Sequence, residues 1–311
     1  MKKVILILIT SLYFVSIGFS QENSTTPTPE QYRAGIAKSI ADLSIKPTPV
    51  WKVSNIKVEG KIDSIPLRIY YPNNGDSLPI LYHIHGGCWV AGDLNTHDNI
   101  CRFLCNNVEC IVIAVDYRQP PEDKFPAAVE DCFAALEWIY ENAEKIGGDK
   151  QKIALIGDSS GGNLSAAICL KNDDAINTIP LVMQVLINPV LDLRQNSSSF
   201  NTYMGCVFAY LNNPEESIQK YASPLAADNF SSTPHTVIIT SENDESKDEA
   251  ILYHKKLTDN HISTELFEVK GIGHFAGLWA GNSTKVDNAK NIAIQELITG
   301  FKLKVPNRVD G

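Results

Sequence analysis

Clusters of basic residues are missing from this 311-residue chain. Lysine and arginine total 27 against 36 aspartates and glutamates, a formal charge of −9, and they form no patch. That composition excludes nucleic acid and anionic membrane surfaces as designed partners, because both demand concentrated positive charge. No CxxC or HExxH spacing occurs, so the sequence offers no metal motif. No period of 20–50 residues recurs and no long low-complexity tract is present, which argues against solenoids and coiled coils. Long apolar runs are scarce as well. One stands at the start, from Val4 to Phe19, interrupted by Thr10, Ser11, Ser16 and Gly18.

That run follows Lys2 and Lys3 and ends in Gly18 and Ser20, small residues at −3 and −1 of a cut before Gln21. Charged start, short apolar core and small residues predict a bacterial secretory signal over residues 1–20. An uncleaved anchor is the rival reading, although the run is at the low end for crossing a hydrocarbon core of ~30 Å. No lipoprotein cysteine follows it. The expected location is periplasmic or secreted, with no stable membrane span once the signal is cut and a membrane anchor if it is not. Beyond residue 20 the chain has 25 basic and 36 acidic side chains, a formal charge of −11. Export permits disulfides. The seven cysteines, Cys88, Cys101, Cys105, Cys110, Cys132, Cys169 and Cys206, leave at least one thiol unpaired. Cys101 and Cys105, four apart, share a helix face and would not bridge easily. Most of the seven lie in apolar company, where cysteine packs as a small hydrophobe.

Residues 21–31 are polar and proline-bearing. A helical pattern runs from Gln31 to Leu43, and "WKVSNIKVEG" and "SIPLRIYYP" predict an antiparallel pair turning near Gly60. Apolar strands and amphipathic segments then alternate. "LPILYHIHGG", "CIVIAVDYR", "KIALIGD", "PLVMQVLINPV", "HTVIIT" and "STELFEV" read as strands. "PAAVEDCFAALEWIYENAEKIG", ending near Gly147, "GNLSAAICLKN", "DEAILYHKKLTDN" and "NAKNIAIQELITGFKLK" read as helices. The alternation predicts an α/β fold: a mostly parallel central sheet flanked by helices on both faces. Residues 191–221 break the rhythm, and an excursion of that length in one domain is usually a functional lid or cap.

Gly157-Asp158-Ser159-Ser160-Gly161 matches G-x-S-x-G between a predicted strand and a predicted helix, a turn that pushes a serine hydroxyl outward. A serine needs a base to take its proton. His274, in the glycine-flanked "VKGIGHFAG" after the last strand, occupies that place in the order serine, acid, histidine. His254, on a helix face, and His261, in a polar turn, read as structural or solvated. His97, in "NTHDN", reads as a helix cap. The acid should follow the penultimate strand, where "SENDESKDE" offers Glu242, Asp244, Glu245, Asp248 and Glu249. Asp244 sits a few residues beyond the strand, whereas Asp248 and Glu249 suit the first turn of a helix, where the dipole favours acids. "HIHGGCW", residues 83–89, stands where backbone N–H groups can face a developing oxyanion.

With these residues identified, the chain resembles the hormone-sensitive-lipase-like (bacterial family IV) esterases of the α/β-hydrolase superfamily. "HGGCW" is similar to that family's HGG-G-[FW] segment, "VDYRQPPEDKFPAAVED" to its D-Y-R stretch and "GDSSGGNLSAA" to its GDSAGGNL elbow. "LINPVLD", "SPLAAD", "NDESKDEA" and "GIGHFAG" follow in the family's order, so the match covers roughly residues 50–300. The resemblance implies a triad of Ser159, Asp244 and His274, and oxyanion donation from the N–H groups of Gly87, Cys88 and Ser160. His85, Gly86, Gly157, Asp158 and Gly161 would support these motifs. It implies one hydrolase domain over residues 21–311, with a small helical cap from about 28–50 and 191–222. The chain departs from the family at two places. Cys88 replaces the usual third glycine, so a Cβ excludes conformations that only glycine reaches and the thiol narrows the acyl site. Glu245 and Ser246 stand where the family favours proline and leucine.

The expected function is a secreted serine carboxylesterase acting on short-chain, acetyl-type esters through an acyl-enzyme, with no metal or organic cofactor. Its partner is a small-molecule ester, and a homodimer stays open as an assembly. Two alternatives are a peptidase of prolyl-oligopeptidase type and a hydrolase fold kept as a non-catalytic binding protein.

Overall fold

β-Branched and aromatic residues recur in the segments that form the sheet. Its strands are β1 (Lys52–Glu59), β2 (Ser64–Tyr71), β3 (Leu78–Ile84), β4 (Ile111–Val115), β5 (Gly148–Asp158), β6 (Met183–Ile187), β7 (His235–Asn243) and β8 (Thr264–Gly273). In the computed structural model, which describes residues 28–42, 46–274 and 284–302, they lie in the order β1-β2-β4-β3-β5-β6-β7-β8. The predicted signal at 1–20 lies outside the described residues. β1 and β2 form the predicted hairpin, Lys52 opposite Tyr71 and Glu59 opposite Ser64. β2 is antiparallel to β4 as well, and every later pairing is parallel.

Both faces of this sheet are covered, and residue alternation shows how. In β4, Ile111, Ile113 and Val115 join one apolar cluster while Val112 and Ala114 join the other. The helices are α1 (Pro29–Asp42), α2 (Asp98–Val108), α3 (Ala127–Asn142), α4 (Ser160–Asp173), α5 (Ser198–Thr202), α6 (Met204–Tyr210), α7 (Lys247–Asp259) and α8 (Thr284–Lys302). Side chains of α3 and α4 fill the first cluster, and those of α2 and α8 fill the second. α8 buries Ala289, Ala293, Leu297 and Phe301, one residue every four, as a single-faced helix must. Each fully buried Ile, Leu or Val contributes about 1.5–3 kcal/mol relative to exposure, so the two-sided strands carry much of the stability.

Two predicted elements are shorter than their sequence pattern. The helix expected to reach Gly147 stops at Asn142, and a 3-10 turn (Glu144–Ile146) ends in Gly147 at φ 78°. The strand expected through Arg118 stops at Val115, because Arg118 turns away to Asp131. Its backbone N–H donates to Oδ2 at 2.9 Å, and its guanidinium grips both carboxylate oxygens.

The strand order turns at β3, which pairs with β4 on one side and β5 on the other. Open α/β sheets place ligands beyond the carboxyl ends of strands at such a reversal. β3 delivers the 85–89 loop there, and β5 delivers Ser159. The 191–222 excursion folds as α5, α6 and a 3-10 turn (Pro214–Ile218). Its base is closed by Asn163 of α4, whose Nδ2 donates to Val190 O at 2.8 Å and to Ala222 O at 2.9 Å.

Candidate active site

The turn from β5 into α4 places the strain on the serine rather than on its glycines. Ser159 has φ 54° and ψ −120°, whereas Gly157 and Gly161 keep negative φ. A left-handed non-glycine residue costs on the order of 1–3 kcal/mol and persists only where its surroundings hold it. Here Ser159 N donates to Ile187 O at 2.9 Å, and Ser159 O accepts from Asn163 N and Val190 N. The flanking glycines are needed for clearance. A Cβ on Gly157 would meet the Gly161 carbonyl, and one on Gly161 would meet the carbonyls of Ile84 and His85. A Cβ on Gly86 would strike Asp158. The elbow and the β3 loop therefore lie against each other, joined also by Trp89 N donating to Ser160 Oγ at 3.1 Å.

β7 and β8 bring the other two side chains. His274 Nδ1–H donates to Asp244 Oδ1 at 3.0 Å, which leaves Nε2 to accept from Ser159 Oγ at 3.0 Å. The side chains of Asp244 and His274 are 0% and 3% exposed, so water scarcely competes for these bonds. Ser246 holds the carboxylate, donating to Asp244 Oδ1 from its N–H and its hydroxyl, each at 2.9 Å. Burial alone would push the His274 imidazole down, but the Asp244 carboxylate more than offsets that and holds it above its ordinary value. The three residues predicted as a triad thus form one hydrogen-bonded chain.

The loop beside Ser159 is left-handed at Gly87 (φ 123°), Cys88 (φ 56°) and Trp89 (φ 62°). Cys88 occupies the left-handed region, which L-residues reach at a cost of about 1–2 kcal/mol, so its Cβ is accommodated there. Among the described residues the N–H groups of Gly87 and Cys88 donate to nothing. Ser160 N–H is the first of α4, one of those a helix leaves unpartnered and whose dipole favours negative charge.

Beneath the elbow lies a buried layer of histidines. His97 stands at the N-cap of α2, as expected, yet its side chain makes no cap bond. Its Nε2 lies 3.7 Å from Asp158 Oδ1 instead. Burial would raise the Asp158 carboxyl, but His97 outweighs it and holds the group below its ordinary value. Burial pushes His83 down to about 3 and His85 to about 4, so both rings are neutral at pH 7. His85 stacks on Tyr117 at 4.3 Å, and Tyr117 OH donates to His85 O at 2.9 Å, which fixes the start of the loop.

Two roofs cover the site. α1 reaches the loop through Arg33, whose Nε donates to Val90 O at 2.7 Å, and through Tyr32, whose hydroxyl lies 3.4 Å from Cys88 Sγ. α6 stacks Tyr210 on Trp89 at 4.6 Å, and Tyr203 stands 5.6 Å from the His274 ring.

Glu249 suits a helix dipole, and it sits in the first turn of α7. It is also buried, and it accepts from Leu191 N and Asp192 N at 3.1 Å and from Ser199 N and Oγ at 2.7 Å. Those donors mark the entry of the excursion, so Glu249 ties the roof to the helix that follows Asp244. Burial pushes its carboxyl up to about 7 against these four donors. Replacing an acceptor with an amide leaves buried donors unmet, at about 1–3 kcal/mol. Glu249→Gln is expected to lower the denaturation midpoint accordingly and to raise KM more than it lowers kcat, which urea titration and steady-state kinetics would check.

No motif gives Asn163 or Glu249 a task. The first lay inside the quoted "GDSSGGNL" and the second among the acid candidates, but their partners are visible only in three dimensions. His254 and His261 lie away from the triad, His254 Nδ1 meeting Thr264 Oγ1 at 3.2 Å. One group among the described residues, His235, Glu265 and Glu296, has potential ligand atoms within 4.8 Å of one another, near the opposite ends of β7 and β8. No described helix is long and apolar enough to cross a membrane.

A serine–histidine–carboxylate chain beyond the carboxyl ends of a mostly parallel, two-sided sheet defines a hydrolase of the nucleophile-elbow class. Residues 81–277 match the family model described as the alpha/beta hydrolase fold. An arylesterase of Saccharolobus solfataricus is 37% identical over 238 residues, 73% of this chain and 77% of its own. A carboxylesterase of Mycobacterium tuberculosis is 32% identical over 253 residues, 75% and 79% of the two chains. The hyperthermophilic esterase of Pyrobaculum calidifontis superposes with a TM-score of 0.82 at 29% identity, covering 91% of this chain and 95% of that one. The chain belongs to the α/β-hydrolase family, within its hormone-sensitive-lipase-like esterases. Its enzymatic class is carboxylic ester hydrolase.

Proposed function

We propose that this protein is an exported serine carboxylesterase that cleaves short-chain acyl esters, aryl esters among them, through an acyl-enzyme. The reading rests above all on the Ser159–His274–Asp244 chain, closed by two bonds of 3.0 Å. Ser159 Oγ attacks the ester carbonyl while His274 Nε2 takes its proton. Asp244 stabilises the imidazolium and keeps its ring oriented. The N–H groups of Gly87, Cys88 and Ser160 hold the tetrahedral oxyanion. His274 then gives the proton to the leaving alcohol, and water repeats the cycle on the acyl group. Short acyl chains are favoured by the bulk around the loop: a thiol at 88 where the family has glycine, the Tyr32 hydroxyl against it, and Trp89 stacked under Tyr210. The name of the archaeal relative supports aryl leaving groups. Export rests on the lysine-led apolar run of residues 1–20 and is tested by locating the cut before Gln21 in the processed protein.

p-Nitrophenyl esters from acetyl to dodecanoyl test the acyl preference, with kcat/KM expected to fall beyond about four carbons. A prolyl amide, expected to remain intact, separates the esterase from a peptidase. The pH profile carries a sign. Only neutral His274 can accept the proton, and Asp244 keeps the imidazole charged to a higher pH than usual. kcat/KM for the acetyl ester should therefore rise with pH through an inflection above the ordinary imidazole value, because the limb reports the free enzyme's base. A profile already flat below pH 6 contradicts this assignment of the base.

A further inference from the structure

His235, Glu265 and Glu296 belong to β7, β8 and α8, and they stand 30 and 31 residues apart in the chain, so no short motif marks them. Strand alternation brings the first two to one face. Val237 and Ile239 of β7 join the apolar cluster that α8 covers, whereas Ile238 joins another. His235, two residues before Val237, shares its side of the sheet. In β8, Phe267 and Val269 pack against the same cluster and Leu266 does not, which puts Glu265 on that side as well. Glu265 is in register with Val237. Glu296 comes down from α8 beside the buried Ala293 and Leu297. The apolar contact between helix and sheet therefore ends, at the starts of β7 and β8, in one imidazole and two carboxylates.

Their geometry suits a cation. One ligand atom from each residue lies within 4.8 Å of the other two, and His235 Nε2 is 4.0 Å from Glu265 Oε1. The other ring nitrogen is engaged, His235 Nδ1 meeting Ser263 Oγ at 2.8 Å. With Nδ1–H given to that hydroxyl, Nε2 keeps its lone pair, which is how metal-binding histidines are commonly oriented. Neither carboxylate has a lysine or arginine partner among the described residues. Two acids converge there without a permanent positive charge to neutralise them. Zinc bonds of 2.0–2.2 Å set tetrahedral ligands about 3.4 Å apart, so the side chains must close by about 1 Å. The Glu265 side chain is 52% exposed, which gives it room to move and the ion a way in.

We propose that His235 Nε2, Glu265 and Glu296 bind one Zn²⁺, with solvent in the fourth position, and that the ion staples α8 to the outer strand of the sheet. One nitrogen and two carboxylate oxygens suit zinc, whereas Mg²⁺ and Ca²⁺ take oxygen-only sets. β8 pairs with β7 alone, so α8 and this strand have the least support in the sheet. Glu265 and His274 lie nine residues apart along extended chain, about 30 Å. The ion therefore takes no part in ester chemistry, and the site does not depend on the esterase reading.

Zn²⁺ titrated into the metal-stripped, full-length chain should bind at one equivalent with micromolar affinity, weaker than structural sites with four protein ligands. At 100-fold over its dissociation constant it should raise Tm by about 5 °C, reversibly on adding EDTA. Mg²⁺ and Ca²⁺ at the same concentration should raise Tm by less than about 1 °C. Ser263→Ala should weaken zinc binding about 10–100-fold, and His235→Ala and Glu296→Gln should each weaken it further. On the parent chain, which needs no variant to fold, zinc should protect His235 from diethyl pyrocarbonate, read by peptide mass. Binding only at millimolar zinc, equal affinity in His235→Ala and Glu296→Gln, or equal modification of His235 with and without zinc overturns the site. Zinc held by these residues with Tm unchanged overturns the staple.

Discussion

Ser159→Ala is expected to lower kcat for p-nitrophenyl acetate by about 10⁵-fold, near 7 kcal/mol of activation free energy, while the protein stays folded. The size follows from what the hydroxyl does. Without Oγ there is no covalent intermediate, and His274 Nε2 loses the group whose proton it takes at 3.0 Å. A residual 10³–10⁴-fold acceleration over water is expected from the backbone donors and from binding alone. Stability should change by less than about 1 kcal/mol, because alanine retains the Cβ and inherits the same strain at φ 54°, with the same backbone bonds to Ile187, Asn163 and Val190. An organophosphonate should add its mass to the parent protein and not to the variant. Equal turnover in the two proteins would move the nucleophile elsewhere.

Chain order and apolar periodicity made most of the architecture legible in the sequence. Strands buried on both faces read as continuous apolar runs, and the segments between them are long enough to show a helical stripe. The excursion over 191–222 could be recognised only as a break in rhythm, because α5 and α6 have five and seven residues, too few for a period of 3.6 to stand out. The elbow was legible by motif, but the reason for its glycines was not. Gly157 gives room to the carbonyl of Gly161 across the elbow and Gly161 to the carbonyls of Ile84 and His85, and neither adopts left-handed backbone. Glu249 and Asp244 both follow β7 and are five residues apart, and no local signal says that one faces a histidine and the other the roof. His97 looked like a cap because its position is one; its side chain goes to Asp158, 61 residues away in the chain.

The same contacts make the site a joint between layers. Ser159 is held by β6 and α4, the 85–89 loop by the histidine layer and Tyr117, and the roof by Asn163 and Glu249. A catalytic constellation held within about 0.5 Å needs that supporting shell. Substitutions in the shell should therefore act mainly through geometry, with smaller and more substrate-dependent losses than substitutions in the triad.

Asp244→Asn should cost about 10⁴-fold in kcat at neutral pH while leaving KM within a few-fold. The amide has the volume of the carboxylate, and the Ser246 N–H and hydroxyl still find an oxygen to donate to. What disappears is the negative charge beside a ring that becomes cationic during attack, in a place where the two side chains are 0% and 3% exposed and water cannot substitute. The opposite amide orientation would donate to Nδ1 instead, which forces the proton onto Nε2 and leaves no acceptor for Ser159, but it would also turn the nitrogen toward the two Ser246 donors that meet the same atom. Losing the carboxylate removes the influence that held the imidazole up against burial, so the inflection in kcat/KM should move to lower pH even as the plateau collapses. Phosphonylation of Ser159 should slow in parallel with turnover, because both need the same proton transfer. A variant that loses less than tenfold, or whose inflection stays in place, would show that another group orients and charges His274.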